Sequence, residues 1–373
     1  MASELYLGLM SGTSADGVDA VIAEFDGETF KGLRGTHHLD YEAGQRLRLL
    51  ELSLDQPALS LRDLSQIDAG VADTFSEAAN QLLRAQAIAP KRIRALGSHG
   101  QTVFHDGPQK LTMQLGDPSR IAEHTGITVV ADFRRRDLAL GGQGAPLVPA
   151  FHHALFATAN EARCVVNIGG IANVTLLPNA AETAVRGFDS GPGNALMDEW
   201  MQIQRRQPFD RDGAFAASGR ANQPLLDALL ADPYFALAPP KSTGRDYFRL
   251  DWARQRFPRL AALSPKDVQA TLCETTAASI AKAIHGHLPN AARVLVCGGG
   301  ARSGFLMQRM RSLLSPAIAE PTDILGLDAE WVEAAAFAWL AMRTIKGLSG
   351  NLPAVTGARA AAVLGGIYPA RTS

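Results

Sequence analysis

The sequence predicts an α/β protein made of two related halves. Three observations carry that expectation. The chain has 373 residues, long for one hydrophobic core and suited to two domains. Residues 5–25, LYLGLMSGTSADGVDAVIAEF, and residues 164–177, CVVNIGGIANVTLL, each read as strand, glycine-bearing turn and strand. Residues 294–300 read as a short apolar strand running into three glycines ahead of a helix.

Composition narrows the partners. Apolar residues make up 46% of the chain, normal for a globular protein, and 36 Lys and Arg balance 37 Asp and Glu. No basic face is implied for nucleic acid and no polybasic patch for a membrane. Met1, Ala2, Ser3 and Glu4 open the chain on a polar note, and the apolar run that follows is short and broken by Gly8. That pattern does not read as a signal peptide, and no stretch approaches the length of a membrane span. Cys164, Cys273 and Cys297 lie far apart, without metal-ligand spacing, and their odd count argues against a disulfide framework. A reducing cytoplasm, where ATP is available, is the simplest location.

In the first hairpin, Leu5, Leu7 and Leu9 alternate with Tyr6 and Gly8, and Val18, Ala20 and Ile22 continue the apolar face beyond the turn. The turn carries Gly12, Thr13, Ser14, Ala15, Asp16 and Gly17. Gly12 and Gly17 can take positive φ and let backbone N–H groups approach a ligand closely. Thr13 and Ser14 offer hydroxyls, and Asp16 or Asp19 can hold a hydrated divalent cation. Together they would cradle a phosphate, although an ordinary hairpin with a polar tip uses the same residues. The stretch is neither a Walker loop nor a GxGxxG fingerprint, since no strand-to-helix unit follows.

Residues 28–90 read as supporting helices. Leu47, Leu50 and Leu54 fall at helical spacing, widened by Leu49 and Leu52, and Val71, Phe75, Ala78, Leu82 and Leu83 mark a second, longer helix. Residues 93–104, IRALGSHGQTVF, read as a strand entering a polar loop at Ser98, His99, Gly100, Gln101 and Thr102. Ligands of open α/β sheets bind where strands end, so His99 is a ligand candidate, with a purely structural histidine as the alternative. Residues 114–149 hold Asp117, Arg120, Asp132, Arg134, Arg135, Arg136 and Asp137, then the turn Gly141, Gly142, Gln143, Gly144. A strand is expected over 128–133, and the glycine turn is expected to be the crossing between domains. The arginine run reads either as a ligand-facing hinge or as a solvated face paired to its own acids. The boundaries expected are 1–131 with about 346–373 for the first domain and 132–345 for the second.

The second hairpin has Asn167, Gly169, Gly170 and Asn173 at its turn, an echo of the first that shares architecture more than residues. Duplicated phosphate-binding hairpins suit the actin-like ATPase superfold, which places nucleotide in a cleft between its halves. Residues 185–200 read as a short strand ending at Phe188, then Asp189 and a Gly-Pro-Gly turn, then a helix with Asn194 as N-cap. Asp189 at that strand end could be a general base, or could cap the turn through nearby amides. Residues 239–246, PPKSTGRD, form a polar loop without an obvious local fold. A long helix is expected over 267–287 and another over 305–314. Gly298, Gly299 and Gly300, beside the N-terminus of that second helix, suit adenosine and phosphate. An apolar helix over 329–345 carries Glu333, and residues 352–369 are expected to return to the first domain.

Taken in order, these motifs resemble the anhydro-N-acetylmuramic acid kinases of the sugar kinase, heat-shock ATPase and actin superfamily. The matching stretches are MSGTSADGVD (10–19), SHGQT (98–102), DFRRRDLALGGQGAPLVP (132–149), NIGGIAN (167–173), DSGPGN (189–194), KSTGRDYF (241–248), VCGGGARS (296–303) and EAAAFAWLA (333–341). They span essentially the whole chain. Each alone is moderately specific, whereas the ordered set is highly so. Ser190 stands where a Thr is common and keeps the hydroxyl.

The resemblance implies two actin-like ATPase (ribonuclease H-like) domains flanking a nucleotide cleft. It implies ATP-dependent conversion of 1,6-anhydro-N-acetylmuramic acid to N-acetylmuramic acid 6-phosphate, in peptidoglycan recycling, by a mobile, dimeric, cytoplasmic enzyme. On the matching positions Gly12, Thr13, Ser14, Ala15, Asp16, Gly17, Val18 and Asp19 would bind the phosphates of ATP and Mg2+, whose ligands are otherwise unassigned. Gly169, Gly170, Gly298, Gly299 and Gly300 join the nucleotide positions, and Asp189 is the catalytic base. His99, Asp117, Arg120 and Glu333 are the expected sugar contacts. Two other functions use the same features: a sugar kinase acting on a free hydroxyl, and a non-enzymatic actin-like nucleotide-binding module.

Overall fold

The computed structural model describes residues 3–179, 184–244 and 246–371. Residues 1 and 2 of the polar N-terminus and Arg245 of the KSTGRDYF stretch lie outside the described residues. The chain divides into two compact units, Met1–Phe151 with Trp331–Ser373, and His152–Glu330.

The first unit is built on a mixed sheet. Its strands are β1 (Glu4–Ser11), β2 (Gly17–Asp26), β3 (Thr29–Asp40), β4 (Ile93–Asp106), β5 (Leu111–Leu115) and β6 (Val129–Ala131). β1, β2 and β3 form an antiparallel meander. β4 runs parallel to the other side of β1, and β6 runs parallel to β4. The C-terminal strand Gly366–Tyr368 closes this edge against β6, which is the expected return to the first unit. β1 is central and covered on both faces, so Tyr6, Leu7 and Leu9 are all fully buried. One face packs on helix Leu61–Ala85 through Val71, Phe75, Ala78 and Leu82, the stripe that the periodicity predicts. Of the preceding leucines, Leu49 and Leu52 enter the core while Leu47 and Leu54 remain exposed.

The other face of the sheet packs on helix Val332–Ile345. The approach is so close that a Cβ at Gly8 would overlap the Ala334 carbonyl oxygen, and one at Gly97 the Phe337 carbonyl oxygen. This contact places residues 331–345 with the first unit rather than with the second. Residues 132–151 belong there too, which moves the division of the chain from 131/132 to 151/152. The reason is a buried carboxylate. Asp137 accepts hydrogen bonds from Asn351 Nδ2 (2.7 Å), Thr356 Oγ1 (2.7 Å) and the Gly144 N–H (2.8 Å). The Gly141–Gly144 stretch is therefore an anchored loop of the first unit and not the expected crossing. Two local expectations also change. β4 runs on as strand through 98–106, where a polar loop was expected, because β5 supplies a pairing partner from Gln101 onward. The expected strand over 128–133 shortens to β6, because Asp132 turns left-handed (φ 62) and a helix begins at Phe133.

The second unit repeats the plan. Its strands are β7 (Arg163–Ile168), β8 (Ile171–Leu177), β9 (Arg186–Pro192), β10 (Arg293–Cys297) and β11 (Ile318–Pro321), in the order β11-β10-β7-β8-β9. The first three are antiparallel, and β10 and β11 add parallel strands beyond β7. Both units thus place their first strand centrally, an antiparallel meander to one side and parallel strands to the other. The two units are the related α/β halves that the paired hairpins predict. Helix Pro265–His287 packs on β8 and β9 and on helices Ala195–Arg205 and Gly304–Leu314. Cys164, Cys273 and Cys297 are buried, and none is disulfide-bonded. Among the described residues no helix is long and apolar enough to cross a membrane.

Candidate active site

The β1–β2 hairpin brings the small residues of 12–16 to one exposed turn. The Ala15 N–H donates to the Gly12 carbonyl (3.1 Å), and Ala15 itself takes the positive φ of 48°. Neither Gly12 nor Gly17 is left-handed, contrary to expectation. A Cβ at Gly17 would overlap the Leu39 carbonyl, so this glycine serves the pairing of β2 with β3. At Gly12 a Cβ would meet nothing nearer than Ser14 Oγ at 3.8 Å, leaving the backbone open to a ligand. Ala15 and Val18 have their side chains in the core and can offer a ligand only main-chain groups. The turn is braced from β4. Ser11 Oγ lies 2.6 Å from Gln101 Oε1, and Gln101 Nε2 donates to the Gly12 carbonyl (3.1 Å).

Both acids of the loop hold a cation of the protein. Asp16 pairs with Arg46 (2.6 Å), and Asp19 with His38 Nδ1 (2.6 Å). The Asp19 hydrogen bond is the main reason that the His38 imidazole is pushed up to about 9. Among the described residues no group of three or more His, Cys, Asp or Glu could hold a metal ion.

The expected sugar contacts separate. His99 and Asp117 line one cavity of about 210 Å³ in the first unit, with Ser98, Gln114, Asp132 and Arg135. His99 is buried and neutral, held well below the ordinary imidazole range by burial and by the Arg134 charge. Its Nδ1 donates to the Ser11 carbonyl (3.2 Å), its Nε2 accepts from Arg134 Nη2 (2.8 Å), and its ring packs on Phe337 at 4.7 Å. Asp117 caps helix Pro118–Thr125 by accepting from the Ser119 N–H (2.8 Å). Arg120 is elsewhere, forked onto Asp73 at 2.6 and 2.9 Å on the surface. Glu333 sits in the first turn of helix Val332–Ile345, and its charge supports the Arg134 guanidinium.

The arginine run divides in the same way. Arg134 turns inward, where burial pushes it down to about 10, still protonated at neutral pH. Arg135 lies outward beside Asp132 at 3.6 Å. The sequence places Ser98 in the polar SHGQT cluster without singling it out as a ligand contact, and its buried Oγ has no hydrogen-bond partner among the described residues. Its place inside the SHGQT motif was the available signal.

In the second unit the two glycine turns are locked together. The Gly193 and Asn194 N–H groups, at the start of helix Ala195–Arg205, donate to the Gly170 (2.9 Å) and Gly169 (2.7 Å) carbonyls. Asn194 holds the N-cap position, but its side chain donates instead to the Ile168 carbonyl (3.2 Å). Gly298 is left-handed (φ 77), and a Cβ there would overlap Asn167 Oδ1, while a Cβ at Gly300 would overlap Ile168. These two glycines are required by the fold itself. Gly169 and Gly299 have open space, with nearest neighbours at 3.8 and 3.6 Å. The buried Asn167 Oδ1 has no hydrogen-bond partner among the described residues.

Asp189 lies within β9, paired with Asn173, because the strand continues to Pro192 rather than ending at Phe188. Its Oδ2 accepts from the Thr243 N–H at 2.9 Å. The carboxylate therefore binds a loop 54 residues away rather than capping its own turn. Burial pushes its carboxyl up to about 6, against the opposing pulls of the Thr243 N–H and the Lys241 charge. A carboxylate poised close to neutrality has the proton affinity of a general base.

Residues 4–370 match the family model for anhydro-N-acetylmuramic acid kinase. The chain belongs to that family. It is 52% identical to the anhydro-N-acetylmuramic acid kinase of Xanthomonas axonopodis pv. citri (strain 306), over 99% of each chain. It is 50% identical to the anhydro-N-acetylmuramic acid kinase of Xylella fastidiosa (strain Temecula1 / ATCC 700964), over 98% of this chain and 96% of that one. Among solved structures, component A of the (R)-2-hydroxyglutaryl-CoA dehydratase of Acidaminococcus fermentans aligns over 90% of this chain and 96% of its own. That alignment has 11% identity and a TM-score of 0.49. The eight stretches that carry the resemblance to anhydro-N-acetylmuramic acid kinases all fall inside the matched residues, as do both hairpins.

Proposed function

We propose that this chain is an ATP-dependent kinase that hydrolytically opens 1,6-anhydro-N-acetylmuramic acid and phosphorylates O6. The products are N-acetylmuramic acid 6-phosphate and ADP, and the setting is cytoplasmic recycling of cell-wall peptidoglycan. Family membership over nearly the whole chain supports the reaction. The observation that carries its chemistry is Asp189, a carboxylate pushed up to about 6 inside the DSGPGN motif.

The substrate has no free 6-hydroxyl, because O6 bridges to the anomeric carbon. Asp189 takes a proton from water, the water oxygen bonds to the anomeric carbon, and the bond from that carbon to O6 breaks. O6 then takes the γ-phosphoryl group as the bond to the departing ADP breaks, and Asp189 returns its proton to solvent. In this reading the phosphates meet the hairpin at Gly12, Thr13 and Ser14, and Gly12 has open space beside its backbone. Gly169 and Gly299 are the open glycines of the second unit. Phosphoryl transfer depends on this positioning and electrostatic support above all.

Mg2+ held jointly with phosphates would take Asp16 and Asp19 in place of their present partners, Arg46 and His38. Such an ion is bound by one or two carboxylates rather than by an all-protein cage, and the loop supplies Asp16 and Asp19. Bound there, it would neutralise charge on the phosphates. His99, Asp117 and Glu333 remain the sugar-side residues of this proposal. His99 acts as an acceptor for Arg134 and Glu333 as its counter-charge. The assembly proposed is a homodimer, which light scattering on the eluting peak would measure.

The deciding assay supplies purified protein with ATP, Mg2+ and the anhydro sugar and follows ADP and sugar phosphate. Turnover of the anhydro sugar is expected. Turnover of open sugars only would make the chain an ordinary sugar kinase, and nucleotide binding with no turnover would make it a binding module.

A further inference from the structure

We propose that Lys241 is a positioning residue for Asp189, its ammonium held over the Tyr234 and Phe188 rings beside the stretch of β9 that carries the base. The proposal rests on the reading of Asp189 as the base. It starts from three hydrogen bonds that clamp Asp189 to this segment. Thr243 N–H donates to its carboxylate (2.9 Å), the Tyr234 hydroxyl donates to its carbonyl (2.8 Å), and its own N–H donates to the Lys241 carbonyl (3.2 Å).

The segment is itself fixed from below. The Asp232 side chain is fully buried and accepts from the Tyr234 N–H (2.7 Å), the Tyr247 hydroxyl (3.0 Å) and Trp252 Nε1 (2.7 Å), and it pairs with Arg256. Such a concentration of donors holds a buried carboxylate in one orientation. Tyr234 is further held by Phe248, edge to face at 5.4 Å, and Phe248 by Trp252 at 4.9 Å.

Lys241 rests on that platform. Its Nζ donates to the Tyr234 carbonyl (3.1 Å) and lies 4.6 Å from the Tyr234 ring and 5.9 Å from the Phe188 ring. A lysine head is ordinarily a mobile, hydrated charge, and ring faces with a carbonyl give it one place to sit. Phe188 is the residue before Asp189, so the ammonium is anchored to the same stretch of β9 that carries the base.

The charges facing this lysine are Asp189 on β9, Lys282 on helix Pro265–His287, and His287 on the same helix, itself near Arg186. Tyr234 and Tyr247 complete the surroundings and are neutral, each pushed up first by burial. Burial first and then Lys282 oppose the charge on Lys241, whereas Asp189 favours it. Lys241 in turn favours the ionised form of Asp189 against burial. Removing the ammonium therefore lets the carboxyl bind its proton more tightly.

The test is a carbon-13 carboxyl titration of aspartate-labelled protein, with the Asp189 resonance identified by its loss in Asp189→Asn. Lys241→Met is expected to move the midpoint to higher pH by about one unit, the low end of the effect of an opposite charge near a carboxylate. Lys241→Gln should move it the same way and Lys241→Arg should restore it. The acid limb of kcat/KM for the anhydro sugar should follow. Midpoints in Lys241→Met and Lys241→Gln that superimpose on the unsubstituted protein would overturn the proposal. Normal turnover by Asp189→Asn would instead overturn the reading of Asp189 as base, and the titration would still decide the role of Lys241.

Discussion

The Thr243 backbone N–H donates to the Asp189 carboxylate at 2.9 Å, joining the KSTGRDYF loop to the DSGPGN strand. The hydrogen bond stabilises the ionised form while burial opposes it, and burial wins. The result is a carboxylate that is charged at neutral pH yet basic enough to take a proton from water.

Replacing that carboxylate by its neutral isostere should separate catalysis from binding. General-base catalysis contributes roughly 10²–10⁴-fold, so Asp189→Asn is expected to lose about that much kcat. ATP affinity measured by calorimetry should persist. In ¹⁸O-labelled water the unsubstituted enzyme should place label on the anomeric hydroxyl and none in the phosphate ester. Label in the phosphate, or near-normal turnover by the variant, would sink the mechanism.

The same residue fixes a pH dependence. With its carboxyl at about 6, kcat/KM should fall as pH drops through that value, because the base becomes protonated. Stability should move oppositely. The folded carboxyl binds its proton more tightly than the unfolded one, near 3.9, so the native state holds more protons between those values. The Asp189 contribution therefore makes the fold more stable as pH falls from about 6 towards 4. Denaturant midpoints across this range should differ between the parent protein and Asp189→Asn with that sign. A difference of the opposite sign would refute the burial of the charge.

Much of this architecture was legible because strands and glycine turns leave strong local signals. Leu5, Leu7 and Leu9 announce a central strand, and the echo at 164–177 announces its counterpart. The boundary was harder to read. Gly141–Gly144 has the composition of a crossing, but Asp137 ties it to Asn351 and Thr356, more than 200 residues away. No local pattern reveals such a partner. Glycine is ambiguous for the same reason. Gly12 and Gly17 look alike in sequence, yet one faces open space and the other the Leu39 carbonyl. The site was read through its motifs, while the direction of each side chain, inward for Arg134 and outward for Arg120, came only with the fold.

Arg120 provides a direct check on that point. Its guanidinium is forked onto Asp73 and is absent from the lining of the cavity that holds His99 and Asp117. Arg120→Ala should leave KM for the anhydro sugar unchanged. Arg134→Ala removes the donor to His99 and the partner of Glu333, and should raise it. Initial-rate measurements on the two variants compare them directly. A raised KM for Arg120→Ala would return that residue to the sugar site.

The glycines make the last prediction, because two of them distinguish a ligand surface from a packing surface. Gly12→Val adds its side chain where the nearest atom to a Cβ is 3.8 Å away, so the fold has room for it. Substitutions in such open positions usually change stability by less than about 0.5 kcal/mol. Nucleotide affinity should nevertheless fall, since the branched side chain fills the open space beside the loop backbone. Gly8→Ala does the reverse. Its Cβ would overlap the Ala334 carbonyl oxygen and come within 2.7 Å of the Ala338 nitrogen, both backbone atoms of helix Val332–Ile345. Overpacking of this kind costs about 1–3 kcal/mol, and more where backbone must move. Thermal unfolding and nucleotide calorimetry on both variants should therefore show a large loss of stability for Gly8→Ala and a loss of affinity with an unchanged melting temperature for Gly12→Val. If Gly12→Val binds ATP as the parent protein does, the hairpin is not the phosphate loop.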